Sequence, residues 1–113
     1  MHESILKSGE KVHVIHRQLY EGDARRHFVG TVDACEGALA RVVGYLFSVE
    51  ARRNQFVKRE GLRTRVIPLD TGSVLVNVLP ADVDVDKVTY TYKSPQEFVV
   101  SDGGRWHLDL SHL

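Results

Sequence analysis

The sequence predicts an all-β fold, or a mainly β fold with a short N-terminal helix, built as a small antiparallel barrel or sandwich of SH3-like, Sm-like or OB-like architecture. Three observations predict it. The segment Ser73 to Leu79 (SVLVNVL) is apolar and rich in β-branched residues, with Asp70-Thr71-Gly72 before it and Pro80 after it. About seven or eight such short runs follow one another, with turn residues roughly every 8–12 positions. Glycines also punctuate the N-terminal half, as strongly bent strands in small barrels require. An architecture alone implies no function, and no motif here is specific enough to name a family.

Residues 1–9 read as a short frayed helix or a loose arm that ends at Gly9. Lys11 to Tyr20 (KVHVIHRQLY) is rich in strand formers, and Glu21-Gly22-Asp23 is a turn. In His27 to Cys35 a strand places Phe28, Val32 and Ala34 on one face. Gly30, between them, marks a bulge or a close backbone approach. Ala38 to Glu50 fits two templates. Leu39, Val42, Val43, Leu46 and Phe47 follow helical spacing, whereas Leu39, Val43, Tyr45, Phe47 and Val49 share one strand face. Gly44 in mid-segment and the valine and aromatic content favour the strand.

Gln55 to Lys58 and Leu62 to Leu69 read as strands, and a hairpin through Asp70-Thr71-Gly72 leads into Ser73 to Leu79. Lys87 to Tyr92 alternates, with Val88, Tyr90 and Tyr92 on one face. Ser94-Pro95-Gln96 breaks that strand. Phe98 to Val100 then turns through Asp102-Gly103-Gly104 into a last strand, where Trp106, Leu108 and Leu110 point inward and His107 and Asp109 outward.

At 113 residues the chain reads as one domain, long enough to bury roughly two-thirds of its unfolded surface. The 42% hydrophobic and 27% charged fractions fit an ordinary globular protein and argue against long disordered tracts. The lone Cys35 removes any internal disulfide or cysteine-based zinc site, and reads as an inert, at least partly buried thiol. No signal-peptide core and no apolar run near the ~20 residues that span a bilayer are present, so the reading is a cytoplasmic protein with no membrane partner.

Fifteen basic residues balance fifteen acidic ones, which argues against a dedicated polyanion binder and leaves little repulsion to keep copies apart. His2, His13, His16, His27, His107 and His112 would titrate near ~6.5 if unperturbed, so self-association should weaken by about pH 5.5.

Nucleotide, metalloprotease, hydrolase and redox motifs are absent from the sequence. No cofactor, metal site or catalytic residue is assigned. On a strand, His13 and His16 face opposite sides and so read as surface or turn-proximal histidines, not a metal pair. His107 and Asp109 share a face, where a solvated pair weighs against a general-base pair. Asp82, Asp84 and Asp86 lack the glycine and glutamate of a calcium loop and read as a charged edge strand.

Charge is unevenly spread. Residues 41–65 hold seven basic and two acidic residues, and residues 66–102 hold two basic and six acidic ones. Three functions remain open. The leading one is a non-catalytic interaction module that self-associates as a homo-oligomer or docks on a partner protein. The alternative is single-stranded RNA or DNA binding through Arg52, Arg53, Lys58, Arg59, Arg63 and Arg65, with Tyr45 and Phe56 nearby for stacking. The third is an enzyme that brings His107 and Asp109 against Tyr90 or Tyr92.

Overall fold

The structure, a computed structural model, describes residues 5–17 and 25–110. The expectations for His2, His112, residues 18–20 and the turn Glu21-Gly22-Asp23 fall outside them. Nine strands follow in order among the described residues: β1 (Lys11–His16), β2 (Arg26–Glu36), β3 (Leu39–Glu50), β4 (Gln55–Lys58), β5 (Arg63–Pro68), β6 (Val74–Leu79), β7 (Thr89–Ser94), β8 (Glu97–Ser101) and β9 (His107–Asp109). One 3-10 turn, Val85–Lys87, precedes β7. The fold is therefore a small β fold, with a curled antiparallel half-barrel sheet ordered β4-β3-β2-β1-β6, β5 also pairing β3, and a three-stranded sheet β7-β8-β9.

Both faces of the curled sheet are buried. Val12 and Val14 of β1, Phe28 and Val32 of β2, Ala40 and Val42 of β3 and Ile67 of β5 fill the inside of the curl. Val29, Phe47, Phe56 and Leu79 turn to the opposite face and pack against Val88, Val100 and Leu110 of the small sheet and its flanks. The Tyr92 hydroxyl of β7 accepts the Phe56 N–H of β4 at 2.8 Å, joining the two sheets by a hydrogen bond.

The stretch 38–50 is a strand from Leu39 onward. Its inward residues are Ala40 and Val42, while Leu39 is half exposed, so the face expected from the sequence is corrected over its first half. The reason is that β3 serves two cores: its even positions line the curl, and Tyr45, Phe47 and Val49 pack towards the small sheet. Gly30 and Gly44 stand directly opposite each other across β2 and β3. A Cβ on Gly44 would overlap Val29 O and Gly30 Cα, so the glycine pair marks a close backbone approach. A bulge between Val32 and Ala34 shifts the register of β2. Cys35 rather than Ala34 then packs on the inner core, correcting the expected face.

Three further expectations are corrected. No N-terminal helix is present in residues 5–9, and this segment is no loose arm: Leu6 is buried inside the curl and Gly9 N–H donates to Val32 O at 2.8 Å. β5 and β6 form no hairpin, since β5 pairs β3 and β6 pairs β1. Burial of Val74 and Val76 against the inner core aligns β6 with β1, so that among the described residues no strand pairing closes the curl between β5 and β6. Asp82, Asp84 and Asp86 belong to a loop and the 3-10 turn, not to an edge strand. Val83 is buried there, and Lys11 Nζ donates to Ala81 O at 2.8 Å and to Val83 O, anchoring the loop beneath the sheet.

Candidate functional site

The most organised polar group in the molecule lies between the sheets. β1 carries His13 and β2 carries His27 on the face covered by the small sheet, and β7 lowers Tyr90 between them. The imidazoles meet edge to face with centroids 5.1 Å apart. Asn77 of β6 stands opposite His13 in the ladder. Its Nδ2 donates to His13 Nδ1 at 3.3 Å, so a neutral His13 carries its proton on Nε2. That Nε2–H donates to Tyr90 Oη at 2.9 Å, and the Tyr90 hydroxyl donates to His27 Nδ1 at 2.5 Å. The chain has one direction, Asn77 to His13 to Tyr90 to His27, and every link is occupied.

Burial controls its electrostatics. It pushes His13 down to about 4. His27 falls to about 3, first through burial and then through the positive fields of His13, His16 and Arg25. Burial, with a smaller contribution from Tyr92, pushes the Tyr90 hydroxyl well above the ordinary phenol range. An efficient general base titrates near the working pH, and none of these groups does so near neutrality. The arrangement instead fixes the small sheet on the large one through directional bonds.

Two sequence expectations are corrected here. His13, read from the sequence as a surface or turn-proximal residue, is fully buried, and His27 is nearly so. Consequently the charging expected by about pH 5.5 does not include these two, and His16 is also pushed down by burial, Arg26 and Arg65. The available signal was Val12-His13-Val14, a histidine flanked by apolar residues in a strand buried on both faces.

Beyond His27 the chain reaches a cleft of about 410 Å3, whose rim includes Arg17, Arg25, Phe56 and Phe98. Its arginines are already engaged: Arg25 Nη2 donates to Asn54 Oδ1 at 2.8 Å and its guanidinium lies 6.0 Å from the Phe56 ring centre, while Arg17 Nη1 donates to Gly72 O at 3.3 Å.

The six basic residues singled out from the sequence do not form one stripe. Arg52 and Arg53 are exposed in the turn between β3 and β4, with Arg53 Nε 3.9 Å from Glu50. Lys58 Nζ sits 4.0 Å over the Tyr45 ring and donates to Asp86 O at 2.7 Å. Arg59 Nε donates to Ser48 Oγ. Arg63 and Arg65 alternate along β5 and share a face. Phe56 is buried beside His27 and Tyr90, which withdraws it from base stacking, and Lys58 covers the Tyr45 ring. Missed in the sequence was a cup at the seam, where Arg65 of β5 meets Arg26 of β2 and His16 of β1.

His107 and Asp109 are exposed, whereas Tyr90 and Leu108 each pack against the core between the sheets, so the pair lies on the face of β9 away from Tyr90. Among the described residues, no group of three or more His, Cys, Asp or Glu side chains could hold a metal ion. No described helix is long and apolar enough to cross a membrane. The ion pairs among the described residues are Arg41–Asp33, Arg53–Glu50 and Lys87–Asp84. None joins the basic segment 41–65 to the acidic segment 66–102.

One sheet edge also stands out. Among the described residues β6 pairs only with β1. Arg17 N–H donates to Ser73 O at 2.8 Å, which fixes the phase of this ladder. The backbone groups of Leu75 and Asn77 therefore face β1, and those of Val74, Val76 and Val78 point outward. The edge carries no charged residue, and Leu75 and Val78 are 49% and 54% exposed. No protein-family model matches the chain, and no similar curated protein or solved structure is found.

Proposed function

We propose that this protein is a non-catalytic interaction module that self-associates by pairing the edge of β6 with β6 of a second copy. The outward backbone groups of β6 carry this reading. An unpaired edge is a template for another strand, and natural edges are usually blunted by lysine, proline or a bulge. β6 has none of these inside Val74–Leu79. Antiparallel pairing of one strand with its own copy is self-complementary about a two-fold axis. Zero net charge adds little repulsion to the encounter.

Sedimentation from low to high micromolar concentration should show mass rising towards twice that of the chain. Leu75→Lys combined with Val78→Lys should hold the protein monomeric with an unchanged far-ultraviolet spectrum. A wild-type monomer at high micromolar concentration, or a doubly charged variant that still dimerises, refutes the pairing.

A second reading, single-stranded RNA or DNA binding, is favoured by the shared face of Arg63 and Arg65 and by their lack of an acidic partner among the described residues. Affinity for mixed-sequence oligonucleotides should then fall with salt. Arg63→Ala with Arg65→Ala should flatten that slope by ~0.7 for each phosphate the variant no longer neutralises. Absence of binding at low salt removes this reading.

A further inference from the structure

The seam of the half-barrel holds a site that β6 pairing does not use and that shares only Arg65 with the nucleic-acid reading. We propose that the cup formed by Arg26, Arg65 and His16 binds a phosphate-type oxyanion. The adjacent strands β1 and β2 set His16 and Arg26 opposite each other in register, β5, distant in sequence, adds Arg65, and Phe28, Leu46, Val66 and Ile67 complete the lining. Phe28 and Ile67 are buried inside the curl, so the cup has an apolar floor beneath a basic rim.

The electrostatics agree with that geometry. Burial first, then Arg26 and Arg65, disfavour the charged form of His16, which places both guanidiniums close to the ring. Neither arginine has an acidic partner among the described residues. Like charges gathered on a nonpolar floor repel one another, and an anion between them reverses that repulsion. The planar fork of arginine matches two oxygens of a phosphate at once, and two such forks from opposite strands can hold one group from two sides.

Size narrows the ligand class. The cup measures about 140 Å3, the liquid volume of roughly five waters. That holds a tetrahedral oxyanion with part of its hydration shell, and the two arginine forks, more than the volume, favour an anion over an uncharged base. The bound group is either a free phosphate or the terminal phosphate of a small ester whose organic part rests outside the cup.

Isothermal titration of the whole protein with inorganic phosphate and, separately, with an alkyl phosphate monoester tests this. Saturable one-to-one binding is expected, with a shift of the His16 ring resonances. Equal affinity for both identifies the phosphate group as the whole determinant. Tighter binding of the ester identifies a small phosphate ester as the ligand. Arg26→Gln and Arg65→Gln should each weaken binding about tenfold, the loss of roughly one charge-assisted interaction. Arg41→Gln, whose arginine is paired with Asp33 at 2.7 Å, should leave affinity unchanged. Both arginines at the cup are exposed, so the variants should keep the wild-type spectrum. No saturable phosphate binding, equal binding of acetate, equal weakening by Arg41→Gln, or binding of oligonucleotides but not phosphate overturns the proposal.

Discussion

Gly44→Ala should destabilise the protein by about 3 kcal/mol or more, or prevent folding, although it adds a single methyl group. The added Cβ would overlap Val29 O and Gly30 Cα, both backbone atoms of the neighbouring strand, and a backbone cannot rotate aside as a flexible side chain can. Gly44 sits where β3 exchanges neighbours: through Gly44 it pairs with β5, and from Phe47 onward with β4. Relief of the overlap would have to separate β2 from β3 at the bend of the curl. Gly104→Ala is the matched control, since its Cβ would meet only the Asp102 side chain, at 3.3 Å. Urea unfolding of both variants measures the difference. Equal losses would show that the close approach at Gly30 and Gly44 does not hold the curl.

Mild acid should have the second large effect. His13 and His27 titrate at about 4 and about 3 in the folded protein, against 6.5 in the unfolded chain. Between those values the unfolded state binds more protons, so stability falls as pH drops below 6.5 and levels off below the folded values. Each histidine contributes a slope of ~1.4 kcal/mol per pH unit within that window. A domain whose whole stability is about 5–15 kcal/mol is thereby brought near unfolding by mild acid. His27→Phe removes one titration and should reduce the slope by ~1.4 kcal/mol per pH unit, whatever the substitution costs at neutral pH. An unchanged slope in urea titrations between pH 6.5 and 4 would show that His27 is not the buried neutral group described.

The contrast between His13 and Trp106-His107-Leu108 shows why some positions were legible and others were not. In β9 one face is solvated, so period-two alternation places His107 outward and Leu108 inward correctly. β1 is covered on both faces, and there alternation carries no information about exposure. Val12 and Val14 serve one core, and His13 enters the other through Tyr90. No local pattern announces that partnership, because Asn77, His13, Tyr90 and His27 come from four strands.

The same limit applies to pairing. Asp70-Thr71-Gly72 is a sound turn signal, and Gly72 does take a positive φ of 72°. A turn signal states that the chain reverses, not which strand it then joins. β6 joins β1 because Val74 and Val76 find the inner core there. Likewise, net charge says nothing of placement: His16 and Arg26 meet through the β1–β2 register, and Arg65 joins them only because the sheet curls.

By itself the sequence determined the class of structure, most strand positions and the glycines at the bend, since these follow from alternation, β-branching and turn chemistry along a contiguous stretch. Tertiary structure alone decided the open seam between β5 and β6, the buried Asn77–His13–Tyr90–His27 chain and the basic cup. Each depends on residues far apart in sequence, brought together by burial of both faces of one curled sheet.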